Sequence, residues 1–314
     1  MTKLTLARFP FLAFALAVAI GTVLAAQSTS EPRRFAILVG INQYADQTIL
    51  QLQKAQKDAE DLAAVLESSG SYRAVKLMSG SLAYLDPLFP SRDNVIAQVE
   101  QLAGMLRPGD QVLFFFSGHG LNDPKSGDSF LLTIDTKARD FTGSSLNLQK
   151  DVLARFDAAG IGNVVALVDA CQKSVSADKG LSVVGVDQIR AGGRAVVITA
   201  TGPGKASYED PKGGNGLFTT GLLAAFTGAA DQDRNGEITV AELETYLPDA
   251  VSELAFKANY NQQPMVYDTG NGGRQPSLGK IGRLPPASGR TAATMPAVAR
   301  VEAAPPARKV WELI

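Results

Sequence analysis

The sequence predicts an α/β domain built on a mostly parallel sheet, and two observations predict it. First, short β-rich apolar runs recur at residues 34–40 (RFAILVG), 74–78, 111–116 (QVLFFF), 163–168 (NVVALV) and 194–199 (RAVVIT). Runs of this length and composition suit strands buried on both faces. Second, segments of helical periodicity separate the early runs. Alternation of strand and helix implies parallel strands, helices on both faces and right-handed crossovers.

The elements follow in order. After the first run, residues 52–68 place Leu52, Ala55, Ala59, Leu62, Ala63 and Leu66 on one helical face. The second helix spans 91–106, with Ser91 and Asp93 as capping candidates and Pro108-Gly109 as its stop. A third covers 148–159 and ends at Gly160. Further on, 217–227 and 241–247 also read as helical. From about Gly282 the chain turns rich in Pro, Ala, Arg and Thr, the composition of a disordered tail, and it closes on an apolar cluster around Trp311. No internal repeat is present.

The chain of 314 residues carries a net charge of −1 and 19% charged residues. Losing Lys3 and Arg8 with the first 26 residues takes that charge to −3. Neither value provides the basic surface that a nucleic-acid partner requires. Residues 1–26 read as a signal peptide, with Lys3 and Arg8 before an apolar stretch and small residues at Ala25-Ala26. Residues 27–32 then form the mature N-terminal segment, and export places the protein in the periplasm or outside the cell. An uncleaved leader is the alternative, and only that case makes the membrane a partner.

The chain holds one Cys and one His. One Cys forms no internal disulfide, and one of each excludes the usual Zn²⁺ ligand sets. The plain reading of each is a buried core residue. Their positions argue otherwise. Ligands of an open parallel sheet bind beyond the carboxyl ends of the strands. His119 follows QVLFFF within Ser117-Gly118-His119-Gly120, and Cys171 follows NVVALV within Asp169-Ala170-Cys171-Gln172. A core histidine is not expected between two glycines, which let the backbone approach a substrate closely and leave amide N–H groups exposed.

The segments FFFSGHG and ALVDACQ resemble the His and Cys motifs of the caspase/metacaspase clan, in which the His precedes the Cys by about 50 residues; here they are 52 apart. ILVGINQY, the KAQKDAEDL helix, RPGDQVLFFFSGHG, Ala200-Thr201, Gly216-Leu217-Phe218-Thr219 and Asn261-Gln262-Gln263-Pro264 extend the resemblance over residues 33–281. It implies a caspase-like fold with about six strands and protein or peptide substrates. It also implies acyl transfer by a Cys171 nucleophile with His119 moving the proton, and no cofactor for the chemistry. The backbone N–H groups of Gly120 and Cys171 would hold the oxyanion.

Metacaspases hold an Arg or Lys side chain with acidic groups, and the resemblance maps Asp58, Ser117 and Asp169 onto that pocket. Asp58 is otherwise an ordinary helix acid. One departure stands out: Gln172-Lys173-Ser174 lacks the Gly usual after the nucleophile. A catalytically weak or silent binding or scaffold module is therefore the competing reading. A thiol redox protein is disfavoured because no second Cys exists to resolve an oxidised one. Lys173, Lys179, Arg190 and Arg194 offer self-processing sites in the loop after Cys171, which also reads as an ordinary charged surface loop.

Residues 231–242 match a twelve-position Ca²⁺-binding loop. Asp231, Asp233 and Asn235 stand at positions 1, 3 and 5, Gly236 at the turn, Glu237 binding through its carbonyl, and Glu242 at position 12. The plain alternative is a helix-connecting turn with solvated acids.

Overall fold

A computed structural model describes residues 32–123, 126–171, 195–202, 205–268 and 276–284. The expected signal peptide, the self-processing loop and most of the tail lie outside these residues, as does the side chain of Cys171.

The central sheet runs in the order β2-β1-β3-β6-β7-β9. Its strands are β1 (Arg34–Gly40), β2 (Tyr72–Ser79), β3 (Gln111–Asn122), β6 (Asn163–Cys171), β7 (Ala195–Thr199) and β9 (Met265–Asp268). The first five pair in parallel, and β9 runs antiparallel to β7. Two short strands, β4 (Ser129–Leu131) and β5 (Leu146–Asn147), extend the end of β3 as an antiparallel flap. The expectation of about six mostly parallel strands holds.

Strand side chains alternate between two cores, as the period of two demands. Ile37, Val39, Phe114 and Phe116 join Val95, Val99 and Leu102 of α2 (Arg92–Ala103) and Phe156 of α4 (Ala154–Ala158) on one face. Leu38, Leu113, Phe115 and Leu167 face Leu62 and Leu66 of α1 (Ala55–Ser68). Leu222 of α5 (Leu217–Ala224) and Leu247 and Val251 of α6 (Val240–Lys257) complete that second layer. Phe114, Phe115 and Phe116 are all fully buried, and truncating such a ring to Ala costs about 3–5 kcal/mol. The helices thus cover the sheet on both sides. No helix among the described residues is long and apolar enough to cross a membrane.

Several details differ from the sequence reading. The first helix begins at Ala55 rather than residue 52, because the Gln53 and Lys54 N–H groups are capped by the Glu209 carboxylate from a distant loop. The third begins with a wide π-type turn over Leu148–Leu153 before α4, started by the Asn147 side chain accepting from Lys150 N–H at 2.9 Å. Strand β3 does not stop at Phe116 but continues to Asn122, because β6 extends equally far and β4 pairs with its end. His119 therefore lies within a strand. The short strand β9 was not expected at all.

Candidate active site

The register of β3 against β6 assembles the site. Ser117 pairs with Asp169, Gly118 with Ala170, and His119 with Cys171. The two residues unique in the chain therefore stand opposite each other on neighbouring strands. Both lie at the carboxyl edge, where an open parallel sheet presents its ligands.

His119 is 3% exposed, and three contacts fix it. Its Nε2 lies 2.8 Å from the Leu50 carbonyl oxygen. A carbonyl only accepts, so Nε2 carries the hydrogen, and in the neutral ring Nδ1 is the basic nitrogen. The Tyr44 ring stacks on the imidazole with centroids 5.2 Å apart and planes 29° from parallel. The Tyr44 hydroxyl accepts the His119 main-chain N–H at 2.8 Å. Both residues come from the loop after β1, which folds back on itself through Leu52 N–H to the Asn42 carbonyl and Tyr44 N–H to Gln51 Oε1. Sequence reasoning included Tyr44 in a motif and missed what it does. Only the folded loop shows that ring on the histidine.

Gly120 pairs with Leu131 of β4, and the neighbouring bond runs from Leu132 N–H to the His119 carbonyl. Gly120 thus occupies a non-hydrogen-bonded position against β4, and its N–H points instead toward β6, into the parallel pairing of His119 with Cys171.

Beside this pair lie two buried carboxylates. Asp58, in the first turn of α1, accepts Ser117 Oγ–H at 2.9 Å on Oδ2 and Gly216 N–H at 2.9 Å on Oδ1. Asp169 accepts Ser207 Oγ–H at 2.7 Å and Thr219 Oγ1–H at 3.0 Å. They are 2% and 3% exposed, and no Lys or Arg among the described residues pairs with either. Burial pushes the Asp58 carboxyl up to about 8, and the neighbouring Asp169 charge adds to the shift. Burial also raises Asp169, to about 6, while Ser207 and Thr219 pull it back and Glu209 pushes it further. The structure therefore brings Asp58, Ser117 and Asp169 together, as the sequence grouped them. Ser207 was not legible, being a hydroxyl without a distinguishing pattern, and Thr219 stood only within the Gly216-Leu217-Phe218-Thr219 motif with no role of its own.

The loop carrying Ser207 and Gly216 is tied down at three points. Glu209 Oε1 accepts from Gln53 and Lys54 N–H at 2.9 and 2.8 Å. Lys54 Nζ donates to the Asp210 and Gly213 carbonyls. The Gln262 amide, 1% exposed, accepts Tyr208 N–H at 2.9 Å and donates to the Ala200 carbonyl at 3.1 Å.

A profile of the caspase-domain family matches residues 33–272. The chain belongs to the caspase-domain peptidase family. Among solved structures, the caspase domain described here is similar to a crystal structure of a Geobacter sulfurreducens protein. The two share 16% identity at a TM-score of 0.50, over 81% of this chain and 98% of that one. At that identity the likeness concerns the fold alone. No curated protein matches the sequence significantly.

The acidic loop of this caspase domain lies away from the carboxyl edge. Asp231, Asp233 and Glu242 each offer an oxygen, and these oxygens lie within 4.8 Å of one another. An all-oxygen donor set of this kind fits a hard cation such as Ca²⁺. Gly236 takes φ +82°, as the sharp turn requires. Asn235 donates to Asp231 and Asp233 and receives Glu237 N–H, and the Glu237 carboxylate takes Ser277 Oγ–H. Glu242 also serves the fold: it forms a capping box with Thr239 at the start of α6 and accepts Gln232 N–H. Strand β8 (Glu237–Thr239), inside the loop, pairs with β10 (Ser277–Lys280).

Proposed function

We propose that this caspase domain is an exported cysteine endopeptidase that cleaves protein or peptide chains after Arg or Lys. The observation that carries the reading is the β3–β6 register, which sets His119 opposite Cys171. In this mechanism the Cys171 thiol gives its proton to His119 Nδ1, and the thiolate attacks the scissile carbonyl. The C–N bond breaks as the imidazolium returns the proton to the leaving amine. Water, deprotonated by the same nitrogen, then releases the acyl group and regenerates the thiol. The oxyanion falls to the Gly120 and Cys171 N–H groups, which must leave the β3–β6 pairing to reach it, a role worth about 10²–10³ in rate per donor.

The buried carboxylate pair supports the choice of a basic residue before the scissile bond. Two carboxylates without a cationic partner among the described residues favour the entry of one positive side chain, and Arg meets carboxylates in a fork. Ser117 orients Asp58 by its hydrogen bond.

Paired peptides that differ only in Arg, Lys or Asp before the scissile bond test this, with the Cys171→Ala protein as blank. Turnover of the Arg and Lys peptides by the native chain alone is expected. Faster turnover of the Asp peptide removes the specificity. No turnover of any peptide, together with no labelling of Cys171 by an Arg-chloromethylketone, favours the silent binding module suggested by Gln172-Lys173-Ser174.

The loop at 231–242 is proposed as a structural Ca²⁺ site of the same domain, with Asp231, Asp233, Asn235, the Glu237 carbonyl and Glu242 as its oxygen donors. The chemistry at Cys171 requires no metal. Residues 1–26 as leader, 33–281 as the peptidase domain and 282–314 as a tail complete the proposal.

A further inference from the structure

The β3–β6 pair gives the carboxyl edge a direction. Cys171 stands on β6 and His119 on β3. The acyl half of a bound peptide therefore starts at β6, and the leaving amine, which takes its proton from His119, starts at β3. The sheet order continues from β3 to β1, one strand and about 4.8 Å further on. A leaving segment that keeps this direction crosses the loop after β1. Ile41 N–H donates to the Ser117 carbonyl at 3.0 Å, which seats the base of that loop against β3.

Leu50 lies on this loop. Its carbonyl oxygen is 2.8 Å from His119 Nε2, so its Cα is within about 5.5 Å of the ring. The residue is 58% exposed. A single leucine in solvent needs no explanation of its own, but this one does not sit on a loose tip. Ile49 before it is buried, Leu52 N–H donates to the Asn42 carbonyl at 2.7 Å, and Gln51 Oε1 accepts Tyr44 N–H at 3.0 Å. An ordered backbone thus holds an apolar side chain in water beside the group that protonates the leaving amine. With Nε2 on the Leu50 carbonyl, Nδ1 serves the amine, and the two nitrogens flank one ring carbon. Beyond Leu50 the surface stays open, as Asn42, Gln43, Leu52, Gln56 and Gly80 line a recess.

We infer that Leu50 is a specificity-determining residue: its side chain meets the residue directly after the scissile bond and favours an apolar one there. The inference rests on the proposed peptidase reading. It concerns the opposite side of the bond from the buried acids, so Asp58 and Asp169 impose no such preference.

The experiment uses internally quenched peptides with Arg before the scissile bond and either Leu or Asp after it. The native chain, Leu50→Ala, Leu50→Lys and Leu50→Met are assayed on both. The readout is the ratio of the two kcat/KM values within one protein, so a general loss of rate cancels. The native chain is expected to favour Leu by about fivefold, or about 1 kcal/mol, as burial of about 40 Å² of apolar surface provides. Leu50→Met is expected to keep that preference, and Leu50→Ala to bring it within about twofold of unity. Leu50→Lys is expected to reverse it toward Asp by about threefold, the worth of one exposed ion pair. A native ratio near one, or native ratios retained in both Leu50→Ala and Leu50→Lys, overturns the inference. So does loss of all turnover in the three variants alike, which makes the side chain a brace for His119. A native chain that cleaves neither peptide instead overturns the peptidase reading beneath it, a result separable from the others because it needs no variant.

Discussion

The Leu50 carbonyl oxygen sits 2.8 Å from His119 Nε2, and through it the loop after β1 decides which nitrogen of the imidazole is basic. The same loop supplies Tyr44, which touches the histidine at both its ring and its main chain. A backbone carbonyl and an aromatic ring, both from one loop, thus brace the imidazole.

Tyr44→Phe tests this bracing. The ring remains to stack, and the acceptor for the buried His119 N–H is lost. Leaving such a donor unpaired costs about 1–3 kcal/mol, readable by urea denaturation. The kcat for an Arg peptide is expected to fall about tenfold with KM nearly unchanged, since the proposed pocket at Asp58 and Asp169 lies elsewhere. An equal rise in KM would show that Tyr44 acts on the substrate loop instead.

The Asp58–Asp169 pair predicts an unusual pH dependence of stability. Both carboxyls are raised in the folded state from the ordinary 3.8 of an aspartate, to about 8 and about 6. The folded protein therefore holds a proton that the unfolded chain releases. A raised group contributes stability that is complete below its unfolded value and is lost as pH climbs through its folded one. Stability should accordingly decline between pH 4 and pH 8, with a slope on the order of 1 kcal/mol per pH unit at its steepest. Asp58→Asn, which cannot ionise, should flatten the upper part of that decline. Denaturation curves at intervals across the range measure it, and parallel slopes in the two proteins contradict the idea of a shared proton.

Much of this arrangement was legible in the residues before any coordinates, and the exceptions have physical causes. The runs that became β1, β3, β6 and β7 are continuous and apolar because helices cover both their faces. Strand β9 is four residues long, partly exposed, and carries no such run. Cys171 and His119 stood out because each is the sole residue of its type following a buried strand. That β3 would continue through His119 was hidden, since Ser-Gly-His-Gly has the composition of a turn and becomes strand only because β6 and β4 pair with it. The start of α1 was misjudged because its cap, Glu209, lies 155 residues from Lys54. Local propensity carries no information at that distance.

Gln262 offers a test of how the loop that carries Ser207 and Gly216 is held. Its buried amide joins the end of β7 at Ala200 to Tyr208, and Ser207 beside it donates to Asp169. Gln262→Ala strands a carbonyl and an N–H and frees the loop. KM for basic peptides should rise about tenfold, while alkylation of Cys171 by iodoacetamide keeps its rate. Gln262→Glu keeps the acceptor for Tyr208 N–H, and it should recover part of the loss. If Glu is no better than Ala, the bond to Tyr208 is not what orders the loop.

Calcium binding at residues 231–242 is best judged by linkage, because Glu242 caps α6 whether or not a metal is bound. Removing Glu242 would confuse the two roles. Asp233 takes no part in the capping box, and its carboxylate accepts from the main-chain and side-chain nitrogens of Asn235. Asp233→Asn therefore strips a ligand charge while leaving α6 capped. If the proposed export holds, the weak affinities of extracellular Ca²⁺ modules apply, with dissociation constants of about 10⁻⁴–10⁻³ M, and about 10 mM Ca²⁺ is then near saturation. A ligand at 100 times its dissociation constant stabilises the folded state by about 2.7 kcal/mol. For a domain of this size that raises the melting temperature by roughly 5–10 °C. The native chain should show this rise with Ca²⁺ and a smaller one with Mg²⁺, which demands a tighter octahedral cage. Asp233→Asn should melt near the metal-free native temperature and respond weakly to Ca²⁺. A native protein whose melting is untouched by Ca²⁺ at that concentration has only a capped, solvated turn between α5 and α6.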